Sequence, residues 1–186
     1  GRKRLNLSSA EITKLIIDQI NILSDVAKNK EMKITHVKPH GALNNMACED
    51  YELAKIISQS IIKTNKDLIF LVPTGSQMEK AGRKLGIKVA VEIFADRNYE
   101  DDGNLISRSK DNAIIIDPEI AKKHVIKMVK NQTINCYSGK QIPCEIDTIC
   151  VHGDGSSAVN TAKQIKEELI KSSVTLKPLD KMKKFI

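Results

Sequence analysis

The chain alternates two spacings of apolar residues. Runs with a period near 3.6 predict helices, and short continuous or alternating apolar runs predict strands. Ser8 with Glu11 three residues on forms a capping-box pattern. It predicts a helix with Ile12, Leu15, Ile16, Gln19, Leu23 and Val26 on or near one face, ending at residues 28–30. A strand over 33–37 leads into a turn, and 49–63 reads as a second helix with Leu53, Ile56, Ile57, Ser60 and Ile61 facing inward. Residues 68–72 are apolar throughout, as suits a strand covered on both faces of a parallel sheet. A helix over 77–85 closed by Gly86, and then a strand over 88–94, come next. Asp117-Pro118 opens a helix that runs to about residue 130. Segments 133–137 and 140–144 flank Ser138-Gly139 as a hairpin. The last buried strand is 147–151, and a helix over 156–171 follows with Val159, Ala162, Ile165 and Leu169 inward. Residues 173–176 suit a short edge strand, and the lysine-rich tail 177–186 is expected to fray.

Four alternations of strand and helix predict an α/β fold with parallel strands, either an open doubly wound sheet or a barrel. No internal repeat or low-complexity linker interrupts the chain, so 1–176 reads as one domain followed by the basic tail 177–186. Side chains able to do chemistry fall at strand carboxyl ends. His36, Lys38 and His40 come at the end of the first strand, Thr74 and Ser76 follow the second, Asp96 and Arg97 the third, and His152 and Asp154 the last. One face of a parallel sheet would collect them all, and a barrel keeps its active site on that face. The segment His36-Val37-Lys38-Pro39-His40-Gly41 is the densest: Pro39 and Gly41 stop the strand and turn the chain. The polar stretch 95–109 exceeds a minimal connection, and Asp96, Arg97 and Arg108 predict an ordered, ion-paired loop.

Composition narrows the picture. Aromatic residues make up only 3% of the chain against 41% apolar residues, so the core is built from Ile, Leu, Val and Ala. Thirty basic and 23 acidic side chains give a net charge of +7. That charge is spread over helices with little aromatic interleaving, which argues against a nucleic-acid partner. Cys48, Cys136, Cys144 and Cys150 form no CxxC pair, so a zinc knuckle is not expected. No leader pattern and no apolar run near the roughly 20 residues of a membrane span are visible, which points to a reduced, cytoplasmic protein with no membrane partner.

The candidate chemistry is hydrolytic or ligase-like. His40 and His152 suit proton transfer near neutral pH. Lys38 and Arg97 suit a carboxylate or phosphate, with His36 and Arg108 close by in sequence. Asp96 and Asp154 suit an orienting role or a metal ion. Gly153 and Gly155 precede a helix and offer backbone N–H groups to an oxyanion or phosphate, although His-Gly-Asp-Gly also reads as a turn with a capping Asp. Neither a Walker-type Gly-x-x-x-x-Gly-Lys-Ser/Thr run nor a Gly-x-Ser-x-Gly elbow occurs.

Three segments resemble one family. His-Val-Lys-Pro-His-Gly-Ala-Leu (36–43), Glu-Ile-Phe-Ala-Asp-Arg-Asn-Tyr-Glu-Asp-Asp-Gly-Asn-Leu-Ile-Ser-Arg (92–108) and Ile-Cys-Val-His-Gly-Asp (149–154) are similar to the LamB/YcsF family, in order and with matching spacings. The resemblance implies a parallel β/α barrel of the glycoside hydrolase/deacetylase type. It implies ATP-dependent hydrolysis of 5-oxo-L-proline to L-glutamate as the A component beside partner subunits B and C. ATP is then a co-substrate, and a divalent metal is an optional further cofactor. The alternatives are a metal-dependent amidohydrolase or carbohydrate deacetylase on a similar barrel, and an inactive fragment that only binds the partner subunits. Two departures stand out. Asn44 occupies a position where the family usually carries Tyr. Gly1-Arg2-Lys3-Arg4 resembles a Phe-Gly-Arg-Arg point inside the family's domain, so the chain is expected to lack the first strands and several acidic and His residues. A barrel without those strands exposes sheet edges, and such a chain is expected to aggregate or associate.

Overall fold

The computed structural model describes residues 3–186, so half of the Gly1-Arg2-Lys3-Arg4 point lies outside the described residues. Two compact units are present. The first runs to Ala90 and takes in Pro178–Ile186; the second is Val91–Lys177.

The first unit opens with α1 (Ser9–Lys28), whose capping box is formed in both directions. The Ser8 Oγ accepts the Glu11 N–H at 3.3 Å, and the Glu11 carboxylate accepts the Ser8 N–H at 2.8 Å. The buried stripe of α1 is Ile12, Ile16 and Ile20, which packs toward α3 (Tyr51–Thr64). It is narrower than expected: Leu15, Leu23 and Val26 are exposed. Strand β1 (His36–Val37) is also shorter than the predicted 33–37, although the Ile69 N–H already pairs with the Thr35 carbonyl. An unexpected helix, α2 (Gly41–Glu49), precedes α3. The two are separated because Asp50 is extended and its side chain accepts the Leu53 N–H as the cap of α3.

Strand β2 (Ile69–Pro73) is parallel to β1 and buried at every position, as its continuous apolar run dictates. Helix α4 (Gln77–Lys84) is capped by Ser76. Its Gly82 allows close approach to the strands: a Cβ there would lie 2.8 Å from Val89 and 3.2 Å from Phe70. Strand β3 (Val89–Phe94) follows, and the strand order is β1-β2-β3 and then β6 (Thr148–Cys150). The tail is docked, not frayed. Leu179, Met182 and Phe185 recur every third residue through two 3₁₀ turns, the period that aligns side chains in such turns. Together they cover Ile69, Leu71 and Ala90, and the Lys88 Nζ donates to the Phe185 carbonyl.

In the second unit, the end of β3 pairs in parallel with β6, Glu92 opposite Thr148 and Phe94 opposite Cys150. Strand β6 is half-buried, unlike the buried strand expected. Helices α5 (Pro118–Asn131) and α6 (Ala158–Lys171) pack together, and Val125, Ile165 and Leu169 close over Ala95. The inward stripe of α6 is Thr161, Ile165 and Leu169; Val159 and Ala162 point to solvent instead. The hairpin forms as β4 (Thr133–Asn135) and β5 (Gln141–Pro143), with Gly139 at φ +96° in its turn. Residues 173–176 form no strand. No helix of the described residues is long and apolar enough to cross a membrane.

Candidate functional site

In the second unit the parallel ladder carries Asp96 and His152 out of β3 and β6 side by side. The Ala95 N–H donates to the Cys150 carbonyl at 2.9 Å, so the pairing continues past the strand ends. The His152 Nδ1 lies 2.8 Å from both carboxylate oxygens of Asp96. An ionised carboxylate only accepts, so Nδ1 carries the proton and the neutral ring keeps Nε2 as an acceptor. The ring also stacks on Phe94, centroids 5.7 Å apart and planes 15° from parallel. Both side chains stay partly open to solvent, His152 at 29% and Asp96 at 18%. An imidazole held in one tautomer by a carboxylate, with its second nitrogen available, is equipped for proton transfer.

The loop after β3 is ordered, but by different bonds from those expected. Arg97 is buried, and its Nε donates to the Ala113 carbonyl at 3.1 Å and its Nη2 to the Ile106 carbonyl at 2.5 Å. Burial lowers its pKa, and the nearby Arg108 lowers it further, while Asp96 opposes both. Asn98 reaches the Asn112 carbonyl. The buried Tyr99 hydroxyl accepts the Phe94 N–H at 2.8 Å, and burial pushes that phenol's pKa up. Asp96 is spoken for by His152, so the expected Asp96–Arg97 pairing gives way to these bonds. Arg108 is exposed and lies 3.7 Å from Asp154. Gly153 is exposed and sits well before α6, which begins only at Ala158 after Ser157; the expected seat at the helix N-terminus is not formed by it.

In the first unit, His36 is exposed, with Nδ1 2.9 Å from the Thr35 hydroxyl. Lys38 is half-buried. His40 is exposed and extended at the N-cap of α2, where it makes no side-chain cap bond, and Gly41 takes φ +61° to begin the helix. Asn44 is buried and donates to the Asn45 side chain. Ser76 serves as the cap of α4.

One residue escaped the sequence reading. His124 lies on the buried stripe of α5 with Ala121, Val125 and Met128, spacings of three and four that mark an inward position. It stacks on Tyr99 at 6.3 Å, and burial pushes its pKa down to about 4 against a hydrogen bond to the Arg97 backbone. It is therefore a neutral prop beneath the loop. Among the described residues, no group of three or more His, Cys, Asp or Glu side chains is placed to hold a metal ion.

Comparison with known proteins follows the same lines. The LamB/YcsF family profile matches residues 1–184. A protein of Clostridium beijerinckii, named as the A subunit of 5-oxoprolinase, is 44% identical over 182 residues, 98% of this chain and 71% of that one. One of Coprothermobacter proteolyticus with the same name is 43% identical over 94% of this chain and 67% of its own. The crystal structure of the lactam utilization protein of Thermus thermophilus superposes with a TM-score of 0.86 at 32% identity, over 95% of this chain and 70% of that chain. The fold is thus that of a parallel β/α barrel, of which the chain carries the part matched there.

Proposed function

Because the chain belongs to the LamB/YcsF family, we propose that it acts as the A component of an ATP-dependent 5-oxoprolinase. The reaction opens the ring amide of 5-oxo-L-proline with water to give L-glutamate, while ATP goes to ADP and phosphate. The observation that carries this reading is the 44% identity, over nearly the whole chain, to a relative named for that role. The pair His152–Asp96 supports it, because ring opening needs a proton moved to the departing amide nitrogen.

In this proposal ATP phosphorylates the amide oxygen and leaves as ADP, water adds to the ring carbon, the C–N bond breaks as the nitrogen takes up a proton, and a second water releases phosphate from the resulting γ-glutamyl phosphate. His152 transfers protons through Nε2, with Asp96 holding its tautomer. Arg108 binds anionic groups, Asp154 orients Arg108, and Arg97 acts by fixing the loop that carries Arg108. In the first unit His40 is assigned to proton transfer, and Lys38 and His36 to anion binding. The partners are two further proteins, subunits B and C.

The test is L-glutamate release from 5-oxo-L-proline with both partner proteins present, with and without ATP. Release that requires ATP is expected. Release at the same rate without ATP would replace the proposal with a simple amidohydrolase. No release with or without ATP, while the partners still bind, would make the chain a binding component.

A further inference from the structure

The second unit buries a carboxylate that the assignments above leave unused. Glu92 is 3% exposed in the middle of β3, and its Oε2 accepts the Thr148 hydroxyl at 3.1 Å. A carboxylate taken out of water costs several kcal/mol even after relaxation. An apolar pair of the same volume at this rung would suit the core at least as well, so the pair points to specificity more than to stability.

The ladder shows what is specified. Residues two apart on a strand share a face, and residues in register on parallel strands face the same way. Glu92 is opposite Thr148 and Phe94 opposite Cys150, and the bond from Ala95 to Cys150 carries the pairing onward. Glu92, Phe94 and Asp96 therefore share one face with Thr148, Cys150 and His152, in three rungs. The first rung is the Glu92–Thr148 bond, the second sets Phe94 under the His152 ring, and the third is Asp96–His152.

Strand β6 is poorly placed to hold this register unaided. It is three residues long and half-buried. A slip of one residue would turn His152 to the opposite face. Two polar clamps act against such a slip. Asp147 takes the Val91 N–H on its Oδ2 at 2.9 Å while its own N–H donates to the Val91 carbonyl. Glu92 holds Thr148 on the next residue. Backbone clamping alone fixes the strand's start; the side-chain bond also fixes which face Thr148, and hence His152 four residues on, presents.

We propose that Glu92 is a positioning residue of the site, which through Thr148 sets the register and facing of β6 and so seats His152 on Phe94 and Asp96. The proposal rests on the proton-transfer role given to His152, but its first readout does not need activity. That readout is the imidazole Nδ1–H resonance of His152 in the full chain, assigned by its loss in His152→Gln. Glu92→Leu and the near-isosteric Thr148→Val are expected to shift or broaden it while far-ultraviolet circular dichroism stays unchanged. Glu92→Gln, which keeps an acceptor for the Thr148 hydroxyl, is expected to restore it. In the coupled assay with ATP and the partner proteins, Glu92→Leu and Thr148→Val should lower kcat roughly 10–100-fold at nearly constant KM, the size of a small misplacement. A folded Thr148→Val chain with an unmoved His152 resonance would overturn the proposal. So would a Glu92→Gln chain as defective as Glu92→Leu, since that would make the charge, not the bond, the working part. If the resonance moves as expected and the parent chain still releases no glutamate, the functional reading fails and the positioning stands.

Discussion

The turn after β1 and the loop after β3 both follow parallel strands and both are dense in charged or titratable side chains. They are held in different ways. Beside the turn, in β1 itself, the His36 ring bonds the hydroxyl one residue away, and within the turn His40 caps a helix without a side-chain bond. In the loop, Asp96 reaches across 56 residues to His152, and Arg97 reaches carbonyls 9 and 16 residues away. Long-range clamps fix a side chain's position before any ligand arrives; local ones leave it adjustable. Catalytic groups gain most from being fixed in advance, and binding groups tolerate adjustment. Of the two histidines proposed for proton transfer, His152 is therefore the one held in place beforehand, and His40 is the one that a ligand would have to position.

The comparison breaks or sharpens on five substitutions. His152→Ala should reduce glutamate release by roughly 10²- to 10⁴-fold, the usual worth of a general acid–base group, and Asp96→Asn should act in the same direction through the wrong tautomer. An equal loss in kcat from His40→Ala would support the proton-transfer role proposed for it, and an unchanged kcat would remove it. Arg97→Leu should cost about 3 kcal/mol in chemical denaturation, because two carbonyls lose a charged donor. His36→Ala, at an exposed position, should change stability by less than about 0.5 kcal/mol.

His124 tests the prop under the loop. Its folded form stays neutral down to about pH 4, while the unfolded chain takes up the proton near pH 6.5. Protons therefore favour unfolding, and stability should fall by up to about 3 kcal/mol as pH drops from 6.5 to 4. Urea midpoints measured at about pH 7 and about pH 4.5 should differ less in His124→Phe than in the parent chain. The smallest effect is at the loop's rim. Lys110 and Glu100 form an ion pair at 2.7 Å with both side chains about half exposed, and Lys110→Ala should cost less than about 0.5 kcal/mol and nothing measurable in about 1 M salt.

Much of this was legible in the residue pattern. The runs at 68–72 and 88–94 marked their strands because they are too short for a buried helix and rich in β-branched and aromatic residues. Ser8 and Asp117 marked helix starts because their side chains bond the first N–H groups locally. The placement of Asp96 and His152 just past paired strands followed from parallel alternation. The rest depended on tertiary contacts. Neither the exposure of Leu23 and Val26 nor that of Val159 follows from period alone, since a stripe's centre is set by the neighbour it meets. Arg97 reads as an ion-paired or anion-binding cation because its actual acceptors are main-chain carbonyls, which carry no side-chain signature. Helix α2 was missed because its short run lacks a strong apolar stripe. His124 is visible in principle, three residues from Ala121 and four from Met128, but nothing local distinguishes a histidine there from core filling.

The docking of Phe185 onto Ile69, Leu71 and Ala90 has a consequence for how the protein matures. Phe185 is synthesised after every residue of the second unit, and the patch it covers is synthesised before any of them. While 91–177 leaves the ribosome, that apolar patch stays open to water and to other nascent chains. A late turn of polypeptide then closes it. Of the two units, the one begun earlier is the one finished later.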